Sequence, residues 1–179
     1  MIRIFDWIVK YKISKVKSLL AVAQWLMGSI AGDGPLGRKA IQMRTYSGVV
    51  YPAQTDAMGH MTVQYYIAAF DQAMWHLVHA LGYRPEWQMD RREGWADVRH
   101  DVTFTKELRV GSLFWVESSV VAIGRTSLST RHRLFDAHRE LSSTDEVKSV
   151  YFDLNERKAL SLPEPIRKSA NDRLANARD

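Results

Sequence analysis

From Val63 onward the apolar positions fall at Tyr66, Ile67, Phe70, Met74, Leu77, Val78 and Leu81, a three-four spacing that predicts one long helix with a broad buried face. Gly82 follows and predicts its end, because glycine adopts the left-handed conformation in which helices commonly stop. Ala73 and Trp75 widen the face, so the helix is expected to be wrapped on more than one side. Beyond it the period changes to two. In "ADVRHDVTFTKEL" Val98, His100, Val102 and Phe104 alternate with Arg99, Asp101, Thr103 and Thr105, and Gly111 breaks the run. "SLFWVESSVVAI" is β-branched and aromatic up to Gly124; "TSLSTRHRLFDA" and "VKSVYFDL" follow, the last closed by Asn155. Upstream, "RTYSGVVYP" is a β-rich run stopped by Pro52. One strand, one long helix and a series of strands joined by short turns predict an α+β domain, a curved antiparallel sheet wrapped around a single helix.

The segment between the first strand and the helix, "TDAMGHMTVQYY", carries the chemistry. A helix N-terminus presents unpaired N–H groups and a partial positive charge, so it can hold an oxyanion as it forms. Asp56 lies a few residues upstream, with Gly59 permitting a tight turn that brings its carboxylate towards those groups. A carboxylate facing an oxyanion hole suits acyl transfer, by direct attack on a carbonyl or by directing water to it. The other reading of the same residues is that Asp56 or Thr62 only caps the helix.

Composition narrows the chemistry. The chain has 179 residues, 46% hydrophobic, enough for one core. It has no cysteine, which removes disulfides, thiolate nucleophiles and cysteine-held metal centres and fits a reducing compartment. His76 and His79 lack a partner at zinc-site spacing, and no G-x-S-x-G elbow is present. A net charge of +5 favours an anionic partner: nucleic acid, a membrane surface or a phosphorylated small molecule. The basic residues are dispersed without a base-reading module, so nucleic acid is not expected.

The first forty residues differ from the rest. Lys10, Lys12, Lys15 and Lys17 precede an uncharged stretch from Ser18 to Gly32, too short to span a bilayer. Ile8, Tyr11, Leu19, Ala23, Leu26 and Ile30 share a broad helix face, which predicts an amphipathic helix over residues 5–31 that lies on a membrane or packs against protein. "GDGPLGRK" then reads as a linker. It matches G-x-G-x-x-G through Gly32, Gly34 and Gly37, but a helical run precedes it and a strand follows, the reverse of a dinucleotide site. The expected organisation is an N-terminal helical extension and linker over 1–40, one domain over 41–167 and a tail over 168–179.

The stretch "DAMGHMTVQYYIAAFDQA", followed by "LGY" and "RHDVTFTKELRVGS", resembles the hotdog-fold acyl-CoA thioesterases of the 4-hydroxybenzoyl-CoA thioesterase type, whose loop reads Asp-x-x-Gly-His-x-Asn. The similarity covers residues 43 to 167, and "GHMT" with "YYIAAF" is similar to the betainyl-CoA thioesterase branch of carnitine catabolism. The resemblance implies the hotdog fold, Asp56 as the catalytic carboxylate, and N–H groups near Met61, Thr62 and Val63 as donors to the thioester oxygen, with Gly59 and His60 shaping the loop. Thr62 stands where the family has Asn, which weakens the orientation of water or acyl chain there. His60 does not form the Asp-x-Asn-Pro-x-His pattern of the hotdog hydratases, so it is expected to position rather than move a proton. Asp71 matches a second carboxylate of some branches poorly and is read as a polar-face residue.

The resemblance further implies hydrolysis of an acyl-CoA to a carboxylic acid and free CoA, with no metal or redox cofactor, in a homodimer or homotetramer. Arg99, Lys106, Arg109, Arg125, Arg131 and Arg133 are candidates for the CoA phosphates, and Tyr65, Tyr66 and Trp75 for a quaternary ammonium acyl group. The compartment expected is the cytoplasm, with membrane association through residues 5–31 as a variant. The competing function is a non-catalytic acyl-thioester or lipid-binding protein on the same fold.

Overall fold

The structure is a computed structural model that describes residues 42–178; the N-terminal amphipathic segment, the linker and its Gly32–Gly37 motif lie outside the described residues. The three-four spacing becomes helix α1, Val63–Ala80, which buries Tyr66, Ala69, Phe70, Ala73, Met74, Leu77 and Val78. Each large side chain so removed from water contributes about 2 kcal/mol. Its end is a Schellman motif. Gly82, at φ 107°, donates its N–H to His79 O, and Tyr83 donates to Val78 O, so two orphan carbonyls are satisfied.

The strands are β1 (Met43–Val49), β2 (Glu93–Phe104), β3 (Leu113–Ile123), β4 (Ser127–Asp136), β5 (Leu141–Asp153) and the two-residue β6 (Lys158–Ala159). A short helix α2, Trp87–Asp90, precedes β2. All pair antiparallel in the order β1-β3-β4-β5-β2, with β6 on the end of β5, so β1 and β2 are the edges among the described residues. The sheet curls around α1, which packs against β1, β3 and β4. This is the hotdog architecture that the pattern and the resemblance led us to expect.

Three differences have local causes. β5 begins at Leu141, six residues before the apolar run at Val147, because Ser142, Ser143 and Asp145 are buried polar residues that hide the strand from a hydrophobic reading. In β2 the pairing register shifts between Asp97 and Arg99, a bulge that resets the alternation at Val98. The tail expected from residue 168 is instead the body of helix α3, Glu164–Arg178. Pro165 falls in its first turn, where no intrahelical N–H is needed, and Ile166 and Ala170, four apart, are both fully buried against the core.

The core has two apolar parts. One joins Leu77, Leu81, Tyr83, Val120, Leu128 and Tyr151 to Ile166 and Ala170 of α3. The other joins Val50, Met61, Tyr66, Phe70, Leu108, Phe114 and Leu134, and the acidic loop rests on it. A buried polar network crosses the sheet beneath α1. Thr45 Oγ1 lies 2.6 Å from Ser118 Oγ, Ser118 Oγ 2.6 Å from His132 Nδ1, and His132 Nε2 2.9 Å from Thr130 Oγ1. One set of protons satisfies it with a neutral imidazole: Ser118 donates to Nδ1, Nε2–H to Thr130, and Thr130 to Met74 Sδ. Burial accordingly pushes the His132 pKa down to about 3.

Candidate active site

The loop before α1 is built around Asp56. Its N–H donates to His60 O at 2.9 Å, and Gly59 N–H donates back to Asp56 O at 3.0 Å, closing a tight turn. Gly59 has φ 79°, and a Cβ placed there would meet none of the described residues, so its glycine is required by backbone conformation and not by space. The Asp56 carboxylate completes the turn: Oδ1 accepts Met58 N–H at 2.8 Å and His60 N–H at 3.0 Å. The His60 amide, and after it the Met58 amide, hold this exposed carboxyl below its usual range against an opposing contribution from desolvation. It is a fixed, ionised carboxylate with Oδ2 left outside the turn.

The loop docks on the β2–β3 connection. Met61 donates its N–H to Leu108 O at 2.8 Å and is itself buried. Tyr66, from the first turn of α1, accepts the Leu108 N–H on its hydroxyl at 3.1 Å. His60 turns its Nε2 to Glu107 Oε2 at 3.1 Å. Between the loop, the start of α1 and the end of β2 lies a cavity of about 600 Å³ lined by Asp56, Met58, His60, Met61, Val63, Tyr66 and Phe104 to Glu107. Its apolar wall includes Phe104 set edge-on to Tyr66, ring centroids 5.1 Å apart. Among the described residues Lys106 is the one lysine or arginine of the lining, and its ammonium is engaged by Asp136 at 2.5 Å and by Glu140.

The structure therefore brings Asp56, His60, Met61, Val63 and Tyr66 to one cavity and sharpens the expected oxyanion donors. Two of the amides named from the sequence are already spent: Met61 N–H on Leu108 O, and Thr62 N–H on Gln54 O. Val63 and Gln64, the first residues of α1, are the ones whose N–H groups have no acceptor among the described residues. Thr62 occupies the N-cap position, yet its hydroxyl makes no capping bond and is buried without a partner among the described residues; Asp56 closes its own turn instead of capping the helix.

Tyr65 and Arg99 are not in the cavity lining. The Tyr65 hydroxyl donates to Ala53 O at 3.2 Å, staying with the loop's own backbone. Arg99 lies beyond the β2 bulge on the opposite face of the strand from His100, paired with Asp101 at 3.0 Å beside a separate hollow that includes Ser129 and Lys148. Asp71 also sits elsewhere, near Asp97 and His100, where burial first and Asp97 second raise its pKa. Of the other candidate cations, Arg131 pairs with Glu146 and Arg133 with Glu117. Sequence reading missed the Gln64 amide, the lining residues Met58, Phe104 and Thr105, and above all Glu107. No motif links it to the loop; only the folded register, in which His60 bridges Arg109, sets it beside His60.

Residues 50–169 match the Thioesterase-like superfamily, and the chain belongs to that family. Among solved structures, a hypothetical protein of Staphylococcus aureus in complex with CoA is similar at TM-score 0.71 and 17% identity, over 80% of this chain and 89% of that one. A 1,4-dihydroxy-2-naphthoyl-CoA thioesterase from Synechocystis is similar at TM-score 0.64 and 18% identity, over 72% and 96%. A gentisyl-coenzyme A thioesterase is similar at TM-score 0.63 and 19% identity, over 70% and 98%. No curated protein matches the sequence.

Proposed function

We propose that this chain hydrolyses an acyl-CoA thioester to a carboxylic acid and free CoA, with Asp56 as the catalytic carboxylate. The observation that carries the reading is an ionised carboxylate, fixed by two backbone amides, on the wall of a cavity that also includes the first residue of α1, in a chain of the Thioesterase-like superfamily. The thioester oxygen takes up negative charge as its carbon becomes tetrahedral, and the unpaired N–H groups of Val63 and Gln64 are the donors proposed to meet it. That carbon becomes tetrahedral in one of two ways: the carboxylate attacks it, and collapse expels CoA thiolate and leaves a mixed anhydride for water to cleave, or the carboxylate takes a proton from a water that attacks it, and collapse breaks the C–S bond, expelling CoA thiolate and leaving the carboxylic acid.

The cavity bears on the acyl group. Two carboxylates, Asp56 and Glu107, face it beside the rings of Tyr66 and Phe104, while Lys106 is neutralised by Asp136 and Glu140. Such a lining disfavours an acyl group ending in a second carboxylate and suits a neutral or cationic one; the trimethylammonium acyl group of the betainyl-CoA branch is the specific candidate. We further propose a homodimer, because the long edge strand β2 ends at this cavity and carries exposed Val98 and Phe104. No helix of the described residues is long and apolar enough to cross a membrane. A cytoplasmic site of action, with or without peripheral membrane contact, is the reading proposed.

The test is turnover by purified protein on short, branched, aromatic, dicarboxylic and trimethylammonium acyl-CoAs, followed by release of free thiol. Hydrolysis of a neutral or cationic member supports the reading. Binding without turnover across the panel would favour the non-catalytic acyl-thioester protein.

A further inference from the structure

His60 is three residues from α1 and four from Asp56, and its backbone and side chain face different partners. Its N–H holds the Asp56 carboxylate at 3.0 Å, and its carbonyl accepts the Asp56 N–H. Its side chain, with 16% of its area exposed, reaches across the cavity wall to Glu107, Nε2 lying 3.1 Å from Oε2. The other ring nitrogen, Nδ1, is buried and has no hydrogen-bond partner among the described residues. In a neutral imidazole one nitrogen carries the proton and the other a lone pair, and the partners decide which. A carboxylate at Nε2 requires the proton there. That leaves Nδ1 as a bare lone pair, which avoids burying an N–H with nothing to accept it.

From this we infer that Glu107 is a positioning residue for the site proposed above, acting on Asp56 through His60. Its carboxylate selects the Nε2–H form of the imidazole and ties the Asp56 turn to the β2–β3 connection. The ring is thereby fixed, and with it the His60 amide that aims the Asp56 carboxylate. The inference rests on the reading of Asp56 as the reacting group, but the contact itself is independent of any reaction. Glu107 is 65% exposed, so the fold does not depend on its burial. An exposed acidic side chain without this task would be free to point into solvent.

The experiment has one arm that needs no turnover. Imidazole ¹⁵N shifts of labelled wild-type protein are expected to report the Nε2–H tautomer at His60. Glu107→Ala is expected to convert the signal to a tautomer mixture, and Glu107→Gln, whose carbonyl still accepts from Nε2–H, to keep it. A wild-type His60 carrying Nδ1–H, or a signal unmoved by Glu107→Ala, overturns the inference whether or not the protein hydrolyses any thioester.

The second arm reads turnover. On the best neutral acyl-CoA, where the charge of the cavity does not bear on binding, Glu107→Ala is expected to lower kcat about tenfold with little change in KM, Glu107→Gln to recover most of that loss, and His60→Ala with Glu107→Ala to do no more damage than the worse single change. Losses that multiply in the double variant, or a Gln variant as impaired as Ala, contradict it. Failure of wild type on the whole panel would instead count against the proposed hydrolase, leaving the ¹⁵N arm to decide the role of Glu107.

Discussion

The Asp56 carboxylate accepts the His60 amide hydrogen at 3.0 Å, so the acid proposed to react is also the fastener of its own turn. The two roles share one consequence: hydrogen bonds to the ionised form lower the pKa, and the His60 amide is the leading cause of that lowering here. If ionised Asp56 is the working form, kcat/KM falls only when the pH drops below the ordinary carboxylate range near ~3.9. Initial rates between pH 3 and 8, taken after brief acid exposure, check this. An acid limb centred near pH 6 would point to a different group.

Buried His132 predicts a separate dependence of stability on pH. The unfolded chain takes up a proton on this imidazole near ~6.5, whereas the folded chain does so only at about 3. Between those values the unfolded state binds more protons, so the contribution of this group is complete above about pH 6.5 and drains away as the pH falls towards about 3. Urea unfolding across this range is expected to show the slope in wild type and a flatter one in His132→Gln. The variant is also expected to be less stable at pH 7, because Ser118 and Thr130 lose partners that met them at 2.6 and 2.9 Å.

These two sites mark where sequence was informative and where it was not. Helix α1 was legible because Tyr66 to Leu81 keep a three-four spacing and Gly82 supplies the one residue type suited to φ 107°. The acidic loop was legible because Asp56 and Gly59 have local jobs, a turn and a positive φ, that act within a few residues. The start of β5 was not, since Ser142, Ser143 and Asp145 are polar residues buried with partners in β2 or just after it, for example Ser143 Oγ donating to Thr103 O at 2.8 Å. Neither was the loss of the Met61 and Thr62 amides from the expected oxyanion donors. Their acceptors, Leu108 O and Gln54 O, are defined only once the loop has docked.

The proposed homodimer predicts its own sensitivity. Val98 lies at the bulge of edge strand β2 with 59% of its surface exposed, a large apolar side chain that an interface would cover. Sedimentation of wild type is expected to give twice the chain mass of 20.6 kDa. Val98→Lys should shift the protein towards monomer, because a buried interface penalises an unpaired ammonium. A wild-type monomer at micromolar concentration would contradict the proposal.

The most direct measurement is the turnover of Asp56→Asn on the best thioester. The amide oxygen of Asn can still accept the Met58 and His60 N–H groups, so the turn is expected to persist and the melting temperature to stay close to wild type. What the substitution removes is the charge and basicity of the oxygen left over. The account predicts a fall in kcat of at least ~100-fold. A folded Asp56→Asn variant that turns over at the wild-type rate would contradict it.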